Sequence, residues 1–119
     1  MPSATFTPNA VQGEGINEEL KIEYVLIYPN PGNKNSDLLL KIKTNKNINK
    51  ITLEIFTIAS RKIIKKEFLI NLDINDFNKI IINKEEIKKL SNGIYYYKLT
   101  VNDKNNNSKM KLGTIIIME

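Results

Sequence analysis

The sequence has no cysteine and no histidine among its 119 residues. The first absence excludes disulfides and thiolate chemistry. The second removes the commonest general base and the commonest ligand of a catalytic metal, and it puts a Ser-His-Asp site out of reach of this chain alone. Arginine is nearly missing too, with Arg61 the single example. Readers of nucleic acid rely on arginine for bidentate contacts. A net charge of +5 carried by lysines scattered along the chain therefore reads as a solvated surface. The abundance of Lys, Asn and Ile is itself what AT-rich codons produce. No run approaches the roughly 18 apolar residues of a membrane helix. The opening Met1-Pro2-Ser3-Ala4-Thr5 lacks the basic-then-apolar plan of a signal peptide. Two expectations follow: a cytosolic protein, or a piece of a longer exported one. No cofactor, metal, nucleic-acid partner or membrane span is expected.

What is present suffices to fold. Hydrophobic residues make up 41% of the chain, enough for one domain with one modest core. Residues 1–20 carry Pro2, Pro8, Gly13 and Gly15 without periodicity and read as a linker or leader from a preceding region. Residues 21–119 read as the domain. Ile22 to Tyr28 is an apolar run closed by Pro29 and Pro31, and the residue before a proline is held extended, so Tyr28 and Asn30 are expected in that geometry. Leu38 to Lys43 and Ile51 to Ile58 alternate with the period of half-buried strands. Arg61 to Leu69 follows after a very short connection at Ala59-Ser60, which predicts a hairpin. Asn78 to Ile82 is a brief apolar strand.

Lys84 to Leu90 is the one helical candidate, with Asn83 as its cap, Glu85 and Glu86 at its positive end, and Lys88 and Lys89 at its negative end. Asn92-Gly93 supplies a positive-φ stop. Ile94 to Val101 is the strongest strand, placing Tyr95, Tyr97 and Leu99 on one face and Tyr96 on the other. A polar loop from Asn102 to Ser108 predicts a second hairpin, with Lys109 to Met118 returning. In that last strand Met110, Leu112, Thr114, Ile116 and Met118 share a face. Leu112 is assigned to the core with Leu40, Ile42, Leu53, Ile55, Tyr95, Tyr97 and Leu99. Short strands about ten residues apart, with no repeated crossover helix, predict an all-β fold: an antiparallel immunoglobulin-like (fibronectin III-like) β-sandwich of about seven strands.

Several motifs fall in a familiar order. Tyr28-Pro29-Asn30-Pro31 precedes a strand, then an alternating segment Ile51 to Ile58, then a tight turn and return strand at Ala59-Ser60-Arg61-Lys62-Ile63-Ile64. Ser91-Asn92-Gly93-Ile94-Tyr95 starts the aromatic strand, and Lys109 and Lys111 stand in a lysine-bearing final strand. This pattern, over about Tyr24 to Glu119, resembles the immunoglobulin-like modules at the C-termini of exported bacterial proteins. They comprise the type IX secretion C-terminal sorting domains and the related domain of the flagellar hook-capping protein. The chain departs from them at Ser60, where glycine is usual, and at its Met118-Glu119 ending, where a sorting signal often ends in lysine. The resemblance marks Tyr28, Pro29, Asn30, Pro31, Gly93, Ile94, Tyr95, Lys109 and Lys111 as motif residues. It implies a non-catalytic module for sorting, anchoring or spacing, extracellular or at the cell surface. Its partners would be the domains of a longer parent polypeptide and outer-membrane secretion machinery.

Other candidates have a plainer reading beside the functional one. Tyr96 and loop asparagines suggest an adhesive or carbohydrate-binding module, the alternative function; a cytosolic or flagellar assembly module comes third. Asn33, Asn35 and Asp37 have the alternate spacing of calcium ligands, yet only one is charged and no bidentate glutamate follows, so a polar loop is expected. Asp73 and Asp76 are read as turn residues. Glu85 and Glu86 are adjacent carboxylates pointing about 100° apart on a helix, unable to converge as an acid/base pair. Tyr95 is expected in the core, with its hydroxyl bonded to backbone as in the tyrosine corner of sandwich domains.

Overall fold

The structure, a computed structural model, describes residues 19–72 and 78–118. Asp73 and Asp76 lie outside the described residues, as do residues 1–18. Eight strands form among those described: β1 (Ile22–Tyr28), β2 (Gly32–Asn33), β3 (Leu38–Thr44), β4 (Ile48–Phe56), β5 (Lys62–Leu72), β6 (Asn78–Ile82), β7 (Gly93–Asn102) and β8 (Ser108–Met118), with the one-turn helix α1 (Lys84–Ile87) between β6 and β7. One sheet has the order β1-β3-β6 and the other β2-β8-β7-β4-β5. Every pairing is antiparallel except that of the two-residue β2 with the end of β8. The fold is an immunoglobulin-like, fibronectin III-like sandwich whose seven longer strands follow the segments read from the sequence.

Period-two alternation places the core. From β3 come Leu38, Leu40 and Ile42, from β4 Ile51, Leu53 and Ile55, and from β7 Tyr95, Tyr97, Leu99 and Val101, all buried between the sheets. Cross-strand partners stack in rows, Leu53 beside Leu99 and Ile55 beside Tyr97. Each such aliphatic side chain contributes about 1.5–3 kcal/mol by leaving water. Leu20 is buried with this cluster, as are Ile87 and Leu90 from the α1 region.

Leu112 corrects one expectation. It is 65% exposed, and Ile115 and Ile117 are the buried residues of β8. Both phases of β8 carry apolar side chains, so alternation alone does not decide between them, and a one-residue change of phase turns every side chain over. The register with β7 decides: Tyr95 faces Ile115 and Tyr97 faces Gly113. A Cβ on Gly113 would stand 2.5 Å from the Tyr97 ring. The ring therefore lies in the space that the glycine leaves open, an aromatic covering a strand glycine.

Local chemistry sets the turns. In the β4–β5 hairpin the Ser60 N–H donates to the Thr57 carbonyl at 2.9 Å, and Ser60 takes a φ of 68°. Glycine adopts that left-handed conformation without steric cost, whereas serine is strained in it. The short α1 is doubly capped: Asn83 Oδ1 accepts the Glu85 N–H at 2.8 Å and Asp37 Oδ1 accepts the Lys84 N–H at 2.6 Å. A single turn needs such outside partners, since its own first amides have none.

Candidate functional site

Seven of the nine motif residues converge on one end of the sandwich. The chain leaves β1 at Tyr28, crosses from one sheet to the other through Pro29-Asn30-Pro31, and enters β2 beside the end of β8. Prolines suit this step because neither must donate to a ladder. Asn30 holds the crossing to β8. Its Oδ1 accepts the Ile116 N–H at 2.9 Å, and its Nδ2 donates to the Thr114 carbonyl at 3.3 Å. One amide side chain thus does for the β8 edge what a neighbouring strand's backbone would do. Two residues on, Gly32 lies against Ile117, and a Cβ there would meet Leu38 at 2.6 Å. Gly93 opens β7 opposite Ile117 with a φ of 151°. The Tyr95 hydroxyl donates to the Ser91 carbonyl at 2.8 Å, the expected tyrosine corner. Ile94 points outward and is exposed.

Lys109 and Lys111 lie at the other end of β8. Their phase is that of the inward-facing residues, yet both are exposed, because this stretch overhangs the core near Leu20 and Ile22. Lys109 Nζ is 3.3 Å from Glu19 Oε1. Asn45 fastens the same entry: its Nδ2 donates to the Glu19 carbonyl at 2.7 Å and its Oδ1 accepts the Lys21 N–H at 2.6 Å. No sequence signal separated Asn45 from the many other asparagines.

The carboxylates engage in structure. Asp103 sits in the β7–β8 loop, where Oδ1 accepts the Asn105 and Asn107 N–H groups, each at 2.9 Å, and Oδ2 accepts Asn107 Nδ2 at 3.0 Å. The Asn107 side chain, with those amides and the charge of Lys46, holds the Asp103 carboxyl below its usual range against the opposing effect of burial. Glu54 is lowered chiefly by its hydrogen bond to Lys62, with Nζ 2.6 Å from Oε2, and by the charges of Lys98 and Lys65. Glu85 and Glu86 pair with different lysines, Lys88 at 3.5 Å and Lys89 at 2.9 Å. Asp37 caps α1, and Asn33 Oδ1 accepts the Asn35 N–H at 2.7 Å in a local turn. Among the described residues no three His, Cys, Asp or Glu side chains gather as metal ligands.

The surface with binding character is the outer face of the five-stranded sheet. Tyr96 is 47% exposed there, directly across from Phe56. With Lys98, Leu112, Ser60 and the backbone at Gly113 they line a shallow, mostly apolar groove of about 290 Å³. The asparagines of the 102–108 loop do not join it. Asn102 is six residues along the strand from Tyr96, roughly 20 Å at ~3.3 Å per residue.

No family model and no curated protein matches this sequence. Solved structures do. OgpA from Akkermansia muciniphila matches with a TM-score of 0.59 and 14% identity, over 83% of this chain and 28% of that one. Chitinase ChiW from Paenibacillus sp. str. FPU-7, a cell-surface-expressed multi-modular enzyme machinery, matches with a TM-score of 0.58 and 13% identity, over 100% of this chain and 11% of that one. The β-glucuronidase of Parabacteroides merdae matches with a TM-score of 0.51 and 11% identity, over 85% of this chain and 14% of that one. At these identities the likeness is one of fold. This chain spans less than a third of the length of each, and among its described residues no helix is long and apolar enough to cross a membrane.

Proposed function

We propose that this domain is a non-catalytic immunoglobulin-like module of a longer exported, cell-surface bacterial protein, where it sorts, anchors or spaces a partner domain. The observation that carries the reading is coverage: the whole chain corresponds to 11% of a multi-modular, surface-expressed protein. The carboxylates support it, since Glu54, Asp103, Glu86 and Asp37 are held in caps, turns and ion pairs rather than aimed together at a substrate. In the sorting form of the proposal the partner is an outer-membrane secretion apparatus that reads the folded module, and Lys109 and Lys111, exposed on the last strand, are contacts for it. Exposed Tyr96 supports an adhesive or carbohydrate-binding role as the second reading.

The test is a routing experiment. The full chain is fused behind a reporter with an export signal, in a host that carries the type IX apparatus. The reporter is expected at the cell surface. Substituting both Lys109 and Lys111 by Gln should reduce routing without unfolding the domain, because exposed ion pairs such as Lys109–Glu19 contribute little to stability. A reporter left in the periplasm, in cells that export their own cargo, would refute sorting and leave spacing or adhesion.

A further inference from the structure

We infer that the groove on the outer face of the five-stranded sheet is a docking site for an acidic protein segment that anchors through one apolar side chain. β8 presents Met110, Leu112, Thr114, Ile116 and Met118 outward, and β7 adds Ile94 and Tyr96. These seven side chains include no charge, and six of them are large exposed apolar groups. The charge lies on one flank. On β4, β5 and β7 the same face carries Glu54 with Lys62, Lys65 and Lys98 around it, all three lysines acting on its carboxyl. Lys62 is bound to Glu54 and lies 5.8 Å from the Phe56 ring centroid. Glu67, also on this face, is paired with Lys50 at 3.9 Å, so two carboxylates stand against four lysines and the flank is positive, with Arg61 in the adjoining hairpin. The groove runs between the two regions, with Tyr96 and Phe56 as walls, Leu112 on the apolar side and Lys98 on the basic side.

That arrangement fits one kind of occupant. A leucine or phenylalanine side chain enters between the rings and Leu112, and carboxylates beside it in sequence reach Lys98 and Lys65. A second copy of this chain, with its net charge of +5, brings no excess of carboxylate to these lysines. A flat lipid surface would not enter a concavity the size of one or two side chains. The outer face of the other sheet offers no such division: there Leu26 stands beside Lys41, and Lys41 lies 6.0 Å from the Tyr24 ring centroid, so charge and apolar surface alternate across the strands. Exposed apolar faces that are large and contiguous mark interaction sites, and lysines at the rim set sign and orientation for the partner.

The purified full chain is titrated with the hexapeptide DEFLDE, following backbone amide shifts by NMR. Saturable shifts at Phe56, Tyr96, Lys98 and Leu112, with a Kd of about 1 mM or tighter, are expected. The peptide KKFLKK should bind at least tenfold more weakly. Both Lys98→Gln and Leu112→Gln should weaken DEFLDE at least tenfold while leaving the thermal midpoint nearly unchanged, since Leu112 is exposed and glutamine at position 98 sets no like charge opposite Glu54. No saturable shift, shifts away from the groove, or equal binding of the two peptides would overturn the inference. Binding to phosphatidylglycerol vesicles or to cellohexaose at this face without peptide binding, or self-association through it, would also overturn it, in favour of a membrane, a glycan or a second copy. The routing experiment reads a different property, so failure of one does not imply failure of the other.

Discussion

Replacing Asn30 tests whether the most recognisable motif in the sequence works as a clasp. In Asn30→Ala two hydrogen bonds to β8 vanish, one of good length to the Ile116 N–H (2.9 Å) and one long to the Thr114 carbonyl (3.3 Å). A hydrogen bond is worth about 0.5–1.5 kcal/mol net, and because this site is exposed, water takes over both freed backbone groups. The expected loss is therefore about 1–2 kcal/mol, nearer the lower figure. Asn30→Asp separates the two bonds. Its carboxylate still accepts from Ile116, but it turns an oxygen toward the Thr114 carbonyl, where Nδ2 used to donate. Asp should thus be no better than Ala, although it preserves the shorter bond.

Urea denaturation followed by far-UV circular dichroism measures the loss, and hydrogen exchange at the Ile116 amide locates it. In Asn30→Ala the Ile116 amide should exchange faster than the global change accounts for, in Asn30→Asp it keeps its acceptor and should follow global stability, and in both the Leu53 and Leu99 amides, in the middle of the sheet, should report only the change in global stability. If Asn30→Ala costs less than about 0.3 kcal/mol, well under one net hydrogen bond, with Ile116 protection unaltered, then Asn30 is not what ties the crossing to β8.

Other outcomes follow from the packing and the charges. Leu53→Ala, at a fully buried position, should cost about 2–5 kcal/mol by urea titration, whereas Leu112→Ser should cost less than about 0.5 kcal/mol as a surface change. Equal losses would mean that the phase of β8 is the reverse of that seen. Ser60→Gly relieves about 1–2 kcal/mol of left-handed strain and adds roughly 0.5–1 kcal/mol of unfolded-state entropy, for a net gain of about 0.5–1 kcal/mol in the same assay. Glu54 and Asp103 both have carboxyls lowered in the fold. Their stabilisation is complete above the unfolded carboxylate range near pH 4 and disappears as the pH falls through the lower native values. The thermal midpoint should drop below about pH 4, and a Glu54→Gln, Asp103→Asn double variant should show a shallower acid slope; an identical slope would remove these two groups from the acid response.

Which features could be read from the sequence depended on how local their physics is. The strands β1, β3, β4, β5, β6, β7 and β8 were legible because alternation, proline, tight turns and loop asparagines act within a few residues. The cap at Asn83 and the tyrosine corner at Tyr95 are also local and matched expectation. The phase of β8 was not, because it depends on Gly113 lying beneath Tyr97, a pairing across the β7–β8 hairpin. The two-residue β2 was not, because its short segment pairs with a strand some 85 residues later. Asp37 was legible as a loop residue but not as a cap on Lys84, 47 residues away. The groove required knowing that Phe56, Tyr96 and Leu112 come from three adjacent strands on the same face.

The structural roles of the motif residues bear on what the resemblance can imply. Asn30 replaces a strand at the β8 edge, Gly93 permits a backbone turn, and Tyr95 fixes the corner by a hydrogen bond to Ser91. Any sandwich that must cross between sheets at this corner would need much the same residues, whatever it does. Agreement at those positions therefore argues for the fold, and it would persist in a module that had lost or never had a sorting role. Functional information has to reside in side chains that the fold does not require. By that criterion the residues to compare among such modules are Lys111, Tyr96, Lys98 and Leu112. All four could change with little cost to the core, so a restriction at them would be one imposed by a partner.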